Sequence, residues 1–243
     1  MKIFRFCEIA LLSLAISSAV AEESGAFIGL NVGYGAASMD TDFIFNDNGN
    51  GITTQKGKLA DGGGVNYGVI AGYKQFFTPY FGLRYYANIS ALHASLKPTA
   101  LMQAHANISA NQNITLLNYG VNVDFLANFV ANRAFDFGAF IGLGIGGNSY
   151  FGKDLDNYIK AFVATKSIHQ NVWRIKDTHF DFWLNAGLRA NFAKYNGLEI
   201  FTRVPFMKSV VVNNTLNSVG ATTSLKTSIK NAWNVGARYT ASF

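Results

Sequence analysis

The 243-residue chain is poor in charge, in proline and above all in cysteine. Charged residues make up 14% of it, against about 25% in an ordinary soluble domain, too few for a typical cytosolic surface. With only three prolines, the chain is neither collagen-like nor Pro-rich and disordered, although glycine is abundant. The single cysteine, Cys7, lies in the first segment, so residues 22–243 carry no disulfide framework and no Cys-ligated metal site. Those residues also lack any uncharged apolar run near the ~18 residues that a membrane-spanning helix needs. What is present is 49% hydrophobic residues, 24 Gly and 21 Phe.

The first 21 residues read as an export signal. Lys2 and Arg5 precede an apolar stretch from Ile9 to Val20, and Ala19-Val20-Ala21 supplies the small residues of a cleavage site. The expected domains are therefore a cleaved signal peptide at 1–21 and one exported unit at 22–243. A lipoprotein is not expected, because Cys7 precedes the apolar run.

The exported part alternates with period two, in eight segments: 26–34, 65–73, 81–89, 117–125, 135–145, 180–192, 198–206 and 229–243. In the first, Ala26, Ile28, Leu30, Val32 and Tyr34 oppose Gly29, Asn31, Gly33 and Gly35. The ionisable residues supply a sharper test. Lys74, Arg84, Asp124, Asp136, Asp181, Arg189, Glu199, Arg203, Lys230 and Arg238 all share the parity of the Gly and Asn face. A cation facing lipid at mid-depth costs about 2–4 kcal/mol, whereas a soluble sandwich would put its ions outside and its apolar residues inside. Only Asn231 breaks the apolar face. The prediction is an all-β, eight-stranded, antiparallel up-and-down transmembrane β-barrel with an apolar skin and an ionic, glycine-rich lumen.

Connection lengths set its orientation. Residues 76–80, 128–134 and 193–197 are short links, while 37–63, 92–113, 147–178 and 207–227 are long ones, expected as four extracellular loops above periplasmic turns and termini. Tyr73, Phe81, Phe125, Phe135, Phe192 and Phe243 flank the short turns or the C-terminus on the apolar face, where they would form a periplasmic aromatic girdle. Within the long links, 210–212 and 224–229 suit a strand ribbon above the membrane. Leu155, Tyr158, Ile159 and Phe162 have the spacing of a short amphipathic helix.

The last strand, 233–243, ends on Phe243 with apolar residues at alternating positions, and so resembles the terminal strand of bacterial outer-membrane proteins. That resemblance implies recognition by the barrel-assembly machinery. The segments from Asn196-Gly197-Leu198 to Pro205 and from Val235-Gly236-Ala237 to Phe243 resemble the closing hairpin of the Helicobacter outer-membrane protein family. The family includes adhesins and candidate porins, many with a large extracellular domain for which this chain has no room. The resemblance implies an integral place in the bacterial outer membrane, with outer-membrane lipid and lipopolysaccharide as its surroundings. It supports location and architecture more than activity, and a host surface ligand is a partner expected through the long loops rather than carried over from the family.

Eight strands leave a lumen that side chains just fill, so a salt-bridged plug is expected, with Arg189 and Glu199 facing one another across the 193–197 hairpin. A narrow ion path widened by the inward glycines is the alternative. His93, His105, His169 and His179 lie in loops or at strand tips without zinc spacing, so no metal or cofactor is expected. His93-Ala94-Ser95 resembles the H-x-S of lipid A deacylases, but no acidic orienter accompanies it, and no catalytic residue is assigned. Asp61-Gly62-Gly63-Gly64 reads as a flexible loop and the glycines at 142, 144, 146 and 147 as lumen packing, since neither has phosphate-loop context. The sequence pI of about 9.3 comes from dispersed basic residues, which do not point to nucleic acid but can meet lipopolysaccharide phosphates at the rim. The expected role is structural or host-contact, adhesin-like, through the loops.

Overall fold

A computed structural model describes residues 23–47, 51–132, 135–154, 157, 178–192, 195–218 and 221–243. The signal segment and the amphipathic stripe at Leu155, Tyr158, Ile159 and Phe162 lie outside these residues. The described strands are β1 (Gly25–Asp47), β2 (Gly51–Phe76), β3 (Phe81–Pro98), β4 (Gln112–Ala131), β5 (Phe135–Phe151), β6 (Thr178–Phe192), β7 (Asn196–Pro205), β8 (Ser209–Ser218) and β9 (Ala221–Ser242), with a short helix α1 (Ala100–Ala106) between β3 and β4. From β1 to β7 each strand pairs antiparallel with the next, β7 pairs with β9, and β9 pairs with β1. The ring is closed, and it contains eight strands.

β8 is not a ninth member of that ring. Asn196–Arg203 of β7 pairs with the end of β9 near the C-terminus, and β8 pairs with the start of β9, so the two share one column. Pro205 lacks the N–H that would continue the ladder, and the column resumes at Ser209.

The strands run well beyond the predicted membrane segments. β1 pairs with β2 out to Asp47 and Gly51, and Gly62 pairs with both Ala37 and Leu96, so 61–64 is strand and not the loop expected there. Most of 37–63 and 207–227 is likewise ladder. The reason is a change of phase along each strand. In β1, Ile28, Leu30 and Val32 face outward, but Met39 and Phe43 face inward while Asp40 and Asp42 take the outer face. In β3, Ile89 faces out, whereas Leu92, Ala94 and Leu96 face in. The solvent outside the wall changes from apolar to polar, and the inward side changes the opposite way.

β9 corrects the sequence reading at one point. Ala36 pairs with Trp233 but Ala37 pairs with Asn231, leaving Ala232 as the extra residue of a bulge. The bulge exchanges faces: Ile229 and Asn231 are buried inside, and Lys230 lies on the outer face instead of in the lumen. Asn231 therefore does not interrupt the apolar skin, and it accepts a hydrogen bond from Asn234 Nδ2 at 3.3 Å.

Candidate functional site

The lumen is the feature that decides what the barrel can do. Of the ten ionisable residues assigned to it from the sequence, Lys74, Arg84, Asp124, Asp136, Asp181, Arg189, Glu199, Arg203 and Arg238 are buried within the ring, and Lys230 is the exception just described. Their centre is a chain across four strands. Arg84 Nη2 lies 2.7 Å and its Nε 3.1 Å from Asp124 Oδ2, and its Nη1 donates to Glu199. Glu199 also accepts from Arg238 at 3.0 Å, so one carboxylate joins two guanidiniums. Arg189 stands opposite Glu199 in register, as the hairpin reading expects, yet the carboxylate turns to Arg84 and Arg238.

Aromatic faces complete this layer. The Arg84 guanidinium lies 4.7 Å from the Phe140 ring centroid, and that of Arg238 lies 4.7 Å from Phe201. Phe76, Leu126, Phe140 and Phe201 form an apolar cluster at this level. Cations desolvated against π-faces gain about 2 kcal/mol or more, which offsets part of their burial cost. Sequence parity located the charges and set Phe201 beside Glu199 and Arg203 on the inner face, but gave no sign of Phe76 or Phe140 there.

Above the charges, amides take over. Arg203 donates to Asn185 at 2.9 Å and to Asn118 at 2.8 Å; Asn88, Asn118 and Asn148 continue as a ladder that ends on Asp181, 2.6 Å from Asn148. Trp183 is fully buried here and donates its indole N–H to Asn122 at 2.7 Å. The inward glycines do not widen the lumen. A Cβ at Gly120 or Gly144 would strike the Trp183 indole, and one at Gly187 would strike the Phe140 ring. Each glycine is the recess that a neighbour's ring occupies.

The far end, remote from both termini, holds a core that was not anticipated. Met39, Phe43, Leu59, Leu92, Leu96, Met102, Leu116, Tyr150, Val211, Leu225 and Ile229 are buried together inside the wall. Helix α1 contributes Met102 to it and is held by Thr99, whose hydroxyl donates to the Lys58 carbonyl at 2.7 Å. Burial raises the Tyr150 phenol above its ordinary pKa, and that hydroxyl donates to Ser209 at 2.9 Å. The lumen is thus ionic in the middle and oily at the top.

On the outer surface, Tyr73, Phe81, Phe125, Phe135, Phe192 and Phe243 encircle the end that carries both termini, with Phe81 stacked on Phe125 and Phe135 against Phe192. A second belt lies toward the far end. Tyr34 contacts Trp233 at 6.1 Å between ring centroids, and Tyr67 contacts His93. Both ring nitrogens of His93 are engaged, one with the Tyr67 hydroxyl and one with the Thr115 hydroxyl, each at 2.9 Å, so neither is left to activate Ser95. His179 donates to the Val210 carbonyl at 2.8 Å, His169 lies outside the described residues, and His105 is on α1. Among the described residues, no three His, Cys, Asp or Glu side chains converge as metal ligands.

The family model for the Helicobacter outer membrane protein matches residues 68–243. The chain belongs to that family. It is an integral outer-membrane β-barrel protein, as closed strands with an apolar skin require. None of the curated proteins matches its sequence. Solved structures similar to this family barrel include the outer membrane protein OprG from Pseudomonas aeruginosa, at 10% identity, covering 92% of this chain and 99% of that one with a TM-score of 0.49. Neisserial surface protein A is similar at 12% identity, covering 91% and 100%, with a TM-score of 0.43. Ail, the attachment invasion locus protein of Yersinia pestis, is similar at 10% identity, covering 89% and 99%, with a TM-score of 0.30.

Proposed function

We propose that this barrel is a closed surface protein, exported through the signal at residues 1–21, whose mature domain at 22–243 acts through its far end in a structural or host-contact, adhesin-like role. The observation that supports this reading is the filled lumen: an ion following the barrel axis would meet a guanidinium–carboxylate chain, then an indole, then a packed apolar core. An apolar layer without water excludes ions far more strongly than a charged constriction does. A narrow channel is therefore the weaker alternative, and activity falls to the exposed surface.

Orientation follows from the same reading. The end with the short turns and the aromatic girdle faces the periplasm, and β9 is presented to the assembly machinery during insertion. The lipid A-modifying alternative loses support because His93 is held by two hydroxyls and, among the described residues, is joined to no carboxylate. The test compares the purified full barrel with a version shortened across 158–177, measuring attachment to epithelial cells and conductance in planar bilayers. Attachment that falls with the shortened loop, without conductance steps from either protein, is the expected result. Equal attachment removes the host-contact role, and steps from the intact barrel restore the channel.

A further inference from the structure

The outer wall above the second aromatic belt carries a charge pattern that neither the membrane skin nor the lumen requires. Cross-strand register places it in rows. Lys97, Asp61, Ser38 and Lys230 stand side by side on β3, β2, β1 and β9. In the next row Asp40 lies between Lys58 and Ser228, and in the third Asp42 lies between Lys56 and Lys226. Lys208 reaches this surface from the β7–β8 break, 2.7 Å from Asp40. The bulge at Ala232 is what brings Lys226 and Lys230 outward; without it they would share the parity of Arg238. Six lysines face three aspartates on one wall, an excess of three positive charges.

The pairing within the patch is uneven. Lys56, Lys58 and Lys208 each reach an aspartate, at 3.0, 3.4 and 2.7 Å, which fixes their ammonium groups along the wall. Among the described residues, Lys97, Lys226 and Lys230 form no such pair. Strand rise and barrel tilt put these rows roughly 10–20 Å above Tyr34. That is the zone where headgroups and their first sugars stand beside the wall, and the lysines project sideways into it.

We infer that this wall binds the phosphate groups of outer-leaflet glycolipid, with Lys97, Lys226 and Lys230 as the principal donors. Lysine suits the task, since its ammonium is a mobile point charge with three donors that adapts to phosphates at different heights. The lipid is already held in the same leaflet, so its phosphate meets the wall at high effective concentration and even modest charge attraction retains it. The inference rests on the orientation proposed above, which cysteine labelling checks independently (Discussion).

The experiment reconstitutes the full barrel in phosphatidylcholine nanodiscs and measures retention of bisphosphorylated lipid A, dephosphorylated lipid A and soluble heparin. It compares the natural chain with a Lys97→Glu, Lys226→Glu, Lys230→Glu variant, with folding verified by boiling-dependent gel mobility. The natural barrel is expected to prefer the bisphosphorylated lipid by about tenfold, and the variant to lose that preference. If charge reversal hinders folding, Gln at the same three positions is expected to reduce the preference about threefold. An unchanged preference in a folded variant overturns the inference. So does a variant that loses only heparin, which would make the wall a polysaccharide surface.

Discussion

Trp183 occupies the recess left by Gly144: a Cβ built on that glycine would fall against the indole nitrogen, which donates to Asn122 at 2.7 Å. A large ring on β6 and an absent side chain on the adjacent β5 are therefore one packing unit, closing the lumen midway along its length. Gly144→Ala must displace either the indole or the strand, and overpacking of this kind costs about 1–3 kcal/mol. The urea midpoint of the folded band on gels is expected to fall accordingly. Trp183→Leu in the same chain should recover part of the loss, giving a coupling energy above about 0.5 kcal/mol; strict additivity would show that the two do not share a site.

Glu199 is the single carboxylate between Arg84 and Arg238. Glu199→Gln leaves the buried Arg238 guanidinium facing a neutral amide, while Arg84 keeps Asp124 at 2.7 Å, and the expected loss is about 3–5 kcal/mol in unfolding free energy. Salt at 1 M should not reproduce this loss in the natural barrel, because buried pairs are weakly screened. A variant as stable as the natural protein would mean that the triad carries no net stabilisation.

The bulge at Ala232 makes neighbours differ in access. In a chain with Cys7 replaced by Ser, a single cysteine at Lys230 is expected to react in intact cells with a membrane-impermeant maleimide, and one at Ile229 to remain unlabelled. A cysteine at Tyr195, in a turn at the opposite end, should react only after the outer membrane is opened. Labelling of Ile229→Cys before Lys230→Cys would place the face exchange elsewhere, and labelling of Tyr195→Cys in intact cells would invert the proposed orientation.

The change of phase along β1 separates two outward positions only ten residues apart. Leu30 is 64% exposed on the apolar band, whereas Asp40 pairs with Lys208 on the charged wall. Leu30→Arg is expected to cost about 2–4 kcal/mol in a bilayer, and Asp40→Arg under about 1 kcal/mol. Folding titrations in lipid vesicles measure both; equal costs would show that β1 leaves the membrane at a different level.

Lys and Arg divide the molecule in a way that only the fold reveals. Arg84, Arg189, Arg203 and Arg238 are all inside, while Lys74 is the lysine found in the described lumen. A planar guanidinium satisfies several acceptors in a fixed geometry and stacks on rings, which suits a dry interior, whereas ammonium groups suit the wet wall. The sequence shows both as basic residues at alternating positions.

Period-two alternation by itself determined that eight segments form a barrel with lipid outside and ions within, because each residue's side of a strand is set by covalent geometry and lipid tolerates few charges. For the same reason, nine of the ten ionisable residues it assigns to the inner face are buried inside the closed ring. Alternation alone failed where the environment changes across an unbroken strand: at Met39, Leu92 and Leu116 the apolar residues move inward, so a continuing strand reads as a polar loop. It also failed at Lys230, since a bulge adds one residue without leaving a mark in the pattern. Which acid meets which base, which ring fills which glycine recess, and the sealing of the far end depend on contacts between strands distant in the chain. Those are distances across the ring, and only closing it fixes them.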